Sequence, residues 1–260
     1  MLQEPFAVGN SIIHRLDPRI RIAVASICSV IIALARHFPA LATAVGVALV
    51  LIMMARLDLR QVIKRVMIVN TFILFLWLVL PLTFQGPVAF TIGPLRVYYP
   101  GIIMSTQITL KSNAILLVLL ALTATMAFST LGAALNRLHV PDKIVYLLLM
   151  TYRYVFVIEQ EYQRLIRSAQ IRGFQPGTNL HTYKTYAYIA GMLFVRSALR
   201  ADRVYKAMLC RGFKRKFYCL QEFSAGKNEW LFVTSMGAAM IVLIYLEWGK
   251  WGLRDLVPIY

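Results

Sequence analysis

Acidic residues are scarce in this chain of 260 residues: 11 Asp and Glu stand against 28 Lys and Arg, and all charged residues together make up only 15%. With so little charge, 59% hydrophobic residues and a mean hydropathy of +0.66, an ordinary soluble domain is excluded, because it could not bury that much apolar surface. Cysteine is nearly as rare. Cys28, Cys210 and Cys219 make neither a pairwise framework nor a Cys-x-x-Cys, so neither a disulfide scaffold nor a zinc site is expected. His14, His37, His139 and His181 are scattered, with no second His, Cys or carboxylate at ligand spacing, which argues against a resident metal or other cofactor. There is no Walker lysine motif, Gly-x-Ser-x-Gly, His-Glu-x-x-His or paired-carboxylate arrangement, so no catalytic residue is assigned and no enzyme is expected. The polar start from Met1 to Asp17 lacks a small-residue cleavage pattern, and no removable signal peptide is expected.

What is abundant is apolar sequence in long runs. Arg21 to Ala35, Ala40 to Ala55, Val66 to Phe84, Ser112 to Thr130 and Trp230 to Trp248 each approach or reach the roughly 20 helical residues that a bilayer core of about 30 Å requires. The expected fold is therefore an all-α membrane protein with about five transmembrane helices in a lipid bilayer. The first two runs are short and call for Arg19, Arg21, Arg36 and Arg56 to snorkel to the headgroups. Lys111, near the start of the fourth run, is read as snorkelling or as part of a helix that begins at the interface near Gly101. Asp17-Pro18 reads as an N-cap followed by proline at the first helical position of span one.

Basic residues in short loops hold those loops in the cytoplasm. Arg56, Arg60, Lys64 and Arg65 lie between spans two and three, whereas the loops of the opposite face carry only Arg36 and Arg96, which places the N-terminus inside. Five spans then put the C-terminus outside, against a small contrary signal from Lys250 and Arg254. The segment from Leu131 to Asn228 holds 16 of the Lys and Arg residues and 5 acids, Asp142, Glu159, Glu161, Asp202 and Glu222, and is expected to be cytoplasmic. The expected organisation is residues 1–130 with spans one to four, 131–228 as a cytoplasmic helical segment, and 229–260 with span five. Nucleic acid is not an expected partner, because the basic residues interrupt amphipathic helices instead of forming a tract with stacking aromatics.

Two long helices carry most of that segment's information. At about 100° per residue, Thr151, Val155, Ile158, Tyr162, Leu165, Ile166 and Ala169 share one face of the stretch Thr151 to Arg172, with Arg153, Gln160, Arg164 and Arg167 opposite. Over Thr182 to Arg211, Ala190, Phe194, Ala198, Ala201, Tyr205 and Met208 share one face, with Arg196, Arg200, Arg203 and Arg211 opposite. Both helices are too charged to cross a bilayer, so their apolar faces must meet each other, the spans, or a partner. Glu159 and Glu161 are expected to pair with arginines of the same or the crossing helix. Each helix ends in one tripeptide, Arg172-Gly173-Phe174 and Arg211-Gly212-Phe213, spaced 39 residues apart. As helix stops, both fit glycine at C′ in the left-handed region, phenylalanine at C″ packing back toward Ala169 or Met208, and arginine at the negative end of the dipole. A helix stop does not, however, require arginine twice.

The pairs Ile171-Arg172-Gly173 and Cys210-Arg211-Gly212 resemble the two X-Arg-X motifs that end the coupling helices in transmembrane (T) components of energy-coupling-factor (ECF) transporters. The likeness extends through Ser11-Ile12-Ile13-His14-Arg15-Leu16-Asp17-Pro18-Arg19, Leu135-Asn136-Arg137-Leu138-His139-Val140-Pro141, Tyr152-Arg153-Tyr154 and Glu161. The strings Met150 to Tyr154, Ser168 to Phe174 and Ala207 to Phe213 resemble the cobalt/nickel branch (CbiQ type). The resemblance implies a non-catalytic subunit of an importer in the cell's inner (plasma) membrane, whose partners are two ABC-type ATPase subunits and a substrate-binding membrane subunit. By resemblance, Arg172 and Arg211, with Ile171, Gly173, Cys210 and Gly212, contact the ATPases, while Arg153, Glu161, Ala169 and Ala207 support the coupling helices. A membrane-embedded lipid-modifying enzyme and a membrane scaffold for cytoplasmic proteins are the alternatives; the enzyme would need a polar catalytic cluster that the sequence does not offer.

Overall fold

A computed structural model of the protein describes residues 11–84, 87–92, 95–213 and 226–249. Met1 to Asn10, Lys214 to Lys216, Cys219, Glu222, Lys250 and Arg254, used in the charge, thiol and signal-peptide readings, lie outside these residues. The described residues fall into two compact units, one of residues 128–213 and one of residues 11–127 and 226–249.

The second unit contains the apolar helices. After a short turn of helix, α1 (Ile12–Arg15), come α2 (Pro18–Leu34), α3 (Phe38–Ala55), α4 (Leu59–Thr83), α5 (Tyr99–Leu122) and, from the far end of the sequence, α9 (Lys227–Trp248). Among the described residues, four helices are long and apolar enough to cross a membrane: α3, α4, α5 and the Glu229–Trp248 part of α9. The fifth expected span, α2, has 17 residues, about 26 Å at 1.5 Å per residue, so it falls a few ångströms short of the core thickness. The boundaries follow the local signals. Asp17 accepts a hydrogen bond from the Arg19 amide at 2.9 Å and Pro18 takes the first helical position, as the Asp-Pro pair predicts. Asp58 starts α4 the same way, accepting from the Arg60 amide at 3.2 Å.

Helix α5 is central, packing on α2, α3 and α4. Small residues let the backbones approach: Ala25 and Cys28 of α2, Ala44, Ala48 and Ala55 of α3, and Ala114 and Ala121 of α5 are buried in one cluster with Val118 and with Phe232, Met236 and Leu243 of α9. A close backbone-to-backbone approach is at Gly101, where a β-carbon would lie 2.6 Å from Cα of Pro81 in α4. Helix α4 leaves Phe72, Leu74, Phe75 and Leu78 exposed, a surface suited to lipid.

Two expectations are corrected. Arg21 does not snorkel: it is 2% exposed and donates into the backbone at the end of α5. The fourth span runs from Tyr99 to Leu122 and not from Ser112 to Thr130, because Tyr98 and Pro100 open a helix well before the apolar run and the chain turns at Thr123 to Met126. Lys111 sits mid-helix, in keeping with the alternative of a helix that begins near Gly101, and its Nζ donates to the Ala33 carbonyl at 3.1 Å near the end of α2. An antiparallel hairpin of β1 (Val88–Ile92) and β2 (Leu95–Tyr98), with a register shift between Val88 and Phe90, fills the connection that the sequence reading left without structure.

Candidate functional site

The unit of residues 128–213 is built from α6 (Phe128–Arg137), α7 (Asp142–Ile171) and α8 (Leu180–Cys210). Helices α7 and α8 have 30 and 31 residues, roughly 45 Å each at 1.5 Å per residue. Helix α6 lies so close to α7 that a β-carbon on Gly132 would meet Leu149 Cδ2 at 2.5 Å, and the Phe128 and Tyr152 rings stack with centroids 4.1 Å apart.

Both arginine-bearing ends have the same backbone. Arg172 (φ −83°, ψ 15°) and Arg211 (φ −90°, ψ 11°) are the C-cap residues, and Gly173 (φ +84°) and Gly212 (φ +74°) follow in the left-handed region. The Phe174 amide donates to the Ala169 carbonyl at 3.0 Å and the Gly173 amide to Gln170 at 3.0 Å. Likewise, Phe213 donates to Met208 at 3.1 Å and Gly212 to Leu209 at 3.0 Å. These are two Schellman motifs in equivalent register, as the repeated tripeptide implies. No atom lies within 4 Å of where a β-carbon would stand at either glycine, so these residues are required by their dihedrals and not by crowding. Arg172 and Arg211 are exposed, as are Ile171, at 87%, and Cys210. Each end therefore presents a cation on an ordered, outward-facing turn.

The phenylalanines reach beyond their own helices. Phe174 reaches α8, with its ring 5.7 Å from Tyr186 at 83° and 6.3 Å from His181 at 56°; Phe213 reaches α7, 5.6 Å from Tyr146 at 33°. A third end uses the same turn without glycine. His139 (φ +65°) follows α6, and the Val140 amide donates to Leu135 at 3.2 Å and His139 to Asn136 at 3.3 Å.

Glu161 holds α7 and α8 together. Its carboxylate, 13% exposed, accepts from Arg196 Nη1 and lies 3.5 Å from Arg164 Nη1 and 3.8 Å from Arg200 Nη2. The hydrogen bond from Arg196, with the charges of Arg196, Arg164 and Arg200, keeps the carboxyl below its usual titration range despite partial desolvation. The helical-wheel reading of α8 is corrected here. Ile189, Leu193, Ser197, Arg200, Val204 and Met208 form its more buried stripe, while Phe194 is 75% exposed. Arg196 and Arg200 turn toward α7 because Glu161, alone on the partly buried face between Ile158 and Tyr162, supplies their anion. That isolated acid was the available signal for both residues. Glu161, Arg196 and Arg200 themselves line a groove of about 490 Å³ between α7 and α8, whose apolar walls include Met150, Tyr154, Ile158, Leu193, Val204 and Met208.

Of the remaining support residues, Arg153 is exposed on α7, the Ala169 carbonyl anchors the first Schellman motif, and Ala207 is exposed one turn before Arg211. Among the described residues no three of His, Cys, Asp and Glu gather as a metal-ligand cluster.

A model of the family described as cobalt transport protein, CbiQ, matches residues 9–218. Curated relatives are similar over most of their length. The energy-coupling factor transporter transmembrane protein EcfT of Bacillus subtilis (strain 168) is 25% identical over 225 residues, 82% of this chain and 85% of the relative. The EcfT of Brevibacillus brevis is 27% identical over 80% of this chain and 83% of its own length. That of Acidaminococcus fermentans is 24% identical over 93% and 94%.

Proposed function

We propose, for a chain that belongs to the CbiQ family and is the transmembrane component of an energy-coupling-factor transporter, that it transmits the ATP-driven movement of two ABC-type ATPase subunits to a separate substrate-binding membrane subunit. The carrying observation is the duplicated helix end. Two Schellman turns in equivalent register expose Arg172 and Arg211, which suits two similar surfaces meeting one chain. Each guanidinium is a rigid, permanently charged fork able to bind carboxylates or backbone carbonyls in a partner's groove. In this reading Ile171, Gly173, Cys210 and Gly212 shape the contact, while Arg153, Glu161, Ala169 and Ala207 hold the helices that bear it.

The basic balance of the Leu131 to Asn228 segment supports a cytoplasmic location for it and a cytoplasmic N-terminus, in an inner membrane. The family description favours cobalt, or chemically similar nickel, as the imported substrate, held by the partner subunit. ATP hydrolysis belongs to the ATPases, and this chain contributes no catalytic group.

The test is the purified complex carrying Arg172→Ala, Arg211→Ala or both, scored for retained ATPase and for metal uptake. Helix ends alone would lose about 0.3–1 kcal/mol of dipole interaction each and leave uptake nearly intact. Inserted arginines cost about 2 kcal/mol or more each, roughly thirtyfold in affinity, so the double variant releases the ATPases. Full retention and uptake in the double variant would refute the assignment.

A further inference from the structure

The two arginine ends are not free helix termini, because each is tied by an aromatic ring to the opposite helix. Phe174, two residues after Arg172, closes on Tyr186, the seventh residue of α8; Phe213, two residues after Arg211, closes on Tyr146, the fifth residue of α7. The contacts are reciprocal. Tyr146 and Tyr186 stand 40 residues apart, one position out of the 39-residue register of the arginines, so the two ends share a kind of contact and not a duplicated sequence position.

This matters for how the arginines are aimed. A C-cap side chain leaves from the last turn, and the three backbone hydrogen bonds that close that turn, from the Arg, Gly and Phe amides, all return to the same helix. Last turns fray readily. A ring anchored on a second helix adds a fixed point beyond the cap, and edge-to-face or tilted pairs at these separations are directional as well as apolar. The arrangement also crosses the information: α8 determines where the Arg172 end points, and α7 where the Arg211 end points.

We infer that Tyr146 and Tyr186 are positioning residues for ATPase engagement, Tyr186 orienting the Arg172 end through Phe174 and Tyr146 orienting the Arg211 end through Phe213. The inference rests on the functional reading above, in which those two ends meet the ATPases. It predicts a crossed pattern that general loosening of the unit would not produce.

The experiment uses the whole complex in its native membranes, with a photo-cross-linking residue in place of exposed Ile171 or exposed Cys210, each adjacent to one arginine. Tyr186→Ala is expected to lower cross-linking to the ATPase from position 171 by roughly two- to tenfold, the factor an aromatic pair supplies, and to leave position 210 unchanged. Tyr146→Ala is expected to do the reverse, and Tyr→Phe at either site, which retains the ring, to restore the wild-type yield. Parallel losses from both positions in each variant would mark the tyrosines as general stabilisers and overturn the inference, as would unchanged yields from both. If wild-type chains gave no cross-link to an ATPase from either position, the functional reading would fail, and the inference with it; a wild-type cross-link that ignores both tyrosines would sink the inference alone.

Discussion

Arg21 donates its Nε to the main-chain carbonyl of Leu122, 101 residues away, at 3.1 Å, and its Nη2 to the Thr125 hydroxyl, which donates onward to the Ala121 carbonyl at 2.9 Å. The guanidinium thereby serves the last turn of α5, where carbonyls lack helical partners and the dipole favours a cation. A fully buried arginine in an apolar unit is stable here because its two-pronged donor set meets oxygens that are otherwise unsatisfied.

Arg21→Met is therefore expected to destabilise the detergent-solubilised chain by about 2–3 kcal/mol, since the Leu122 carbonyl loses a charge-assisted bond and stays buried. Arg21→Lys recovers only part, because a single ammonium cannot span both acceptors with the fork's geometry. Thermal unfolding in detergent checks this, and a methionine variant as stable as wild type would show the pair to be neutral.

Gly101→Ala is expected to be more damaging than its size suggests. The added carbon would stand 2.6 Å from Pro81 Cα and 2.7 Å from the Leu80 carbonyl oxygen, both backbone atoms of α4 that no rotamer change can move. A cost of about 1–3 kcal/mol is expected. In contrast, Gly46→Ala, with nothing within 4 Å of the new carbon, should sit near zero in the same unfolding assay.

The pattern of what was legible in the sequence has physical causes. Spans α3, α4 and α9 were readable because lipid demands uninterrupted apolar length, and both Arg-Gly-Phe ends because only glycine takes the left-handed region without strain. The start of α5 was left between Ser112 and the neighbourhood of Gly101 because Gln107 and Lys111 interrupt the apolar run; in the fold they donate to the carbonyls of Arg36 (2.8 Å) and Ala33 (3.1 Å) at the end of α2. The link from Glu247, which accepts from the amides of Arg36 and His37 at 2.8 and 3.1 Å, joins residues more than 200 positions apart with no local signature. The pairing of Glu161 with arginines of its own and of the crossing helix was legible from charge alone, but which arginines of α8 turn to it was not, because amphipathic arithmetic places Arg196 and Arg200 on the solvated face.

The three Schellman turns give a graded prediction. At His139 (φ +65°) a side chain bears the left-handed strain, so His139→Gly should stabilise the 128–213 unit, whereas Gly173→Ala and Gly212→Ala should each cost about 1–2 kcal/mol. Hydrogen exchange at the Phe174 and Phe213 amides reads the alanine variants directly, with faster exchange expected only at the altered end. Equal slowing or no change at all would contradict the strain argument.

The pH behaviour of the α7–α8 pair follows from Glu161. Its folded pKa lies below the unfolded value of about 4.3, so its contribution is fully present above that value and is lost as pH falls through the folded one. No weakening is therefore expected between pH 8 and 5, and loosening should begin only below about pH 4. Glu161→Gln should loosen the pair at every pH, because the amide leaves Arg164, Arg196 and Arg200 gathered without an anion. Spin labels in place of exposed Gln160 on α7 and exposed Leu199 on α8 measure this as a distance distribution. The wild type should stay narrow down to pH 5 and the glutamine variant should be broad throughout. Broadening of the wild type between pH 7 and 6 would overturn the assignment of this link to Glu161.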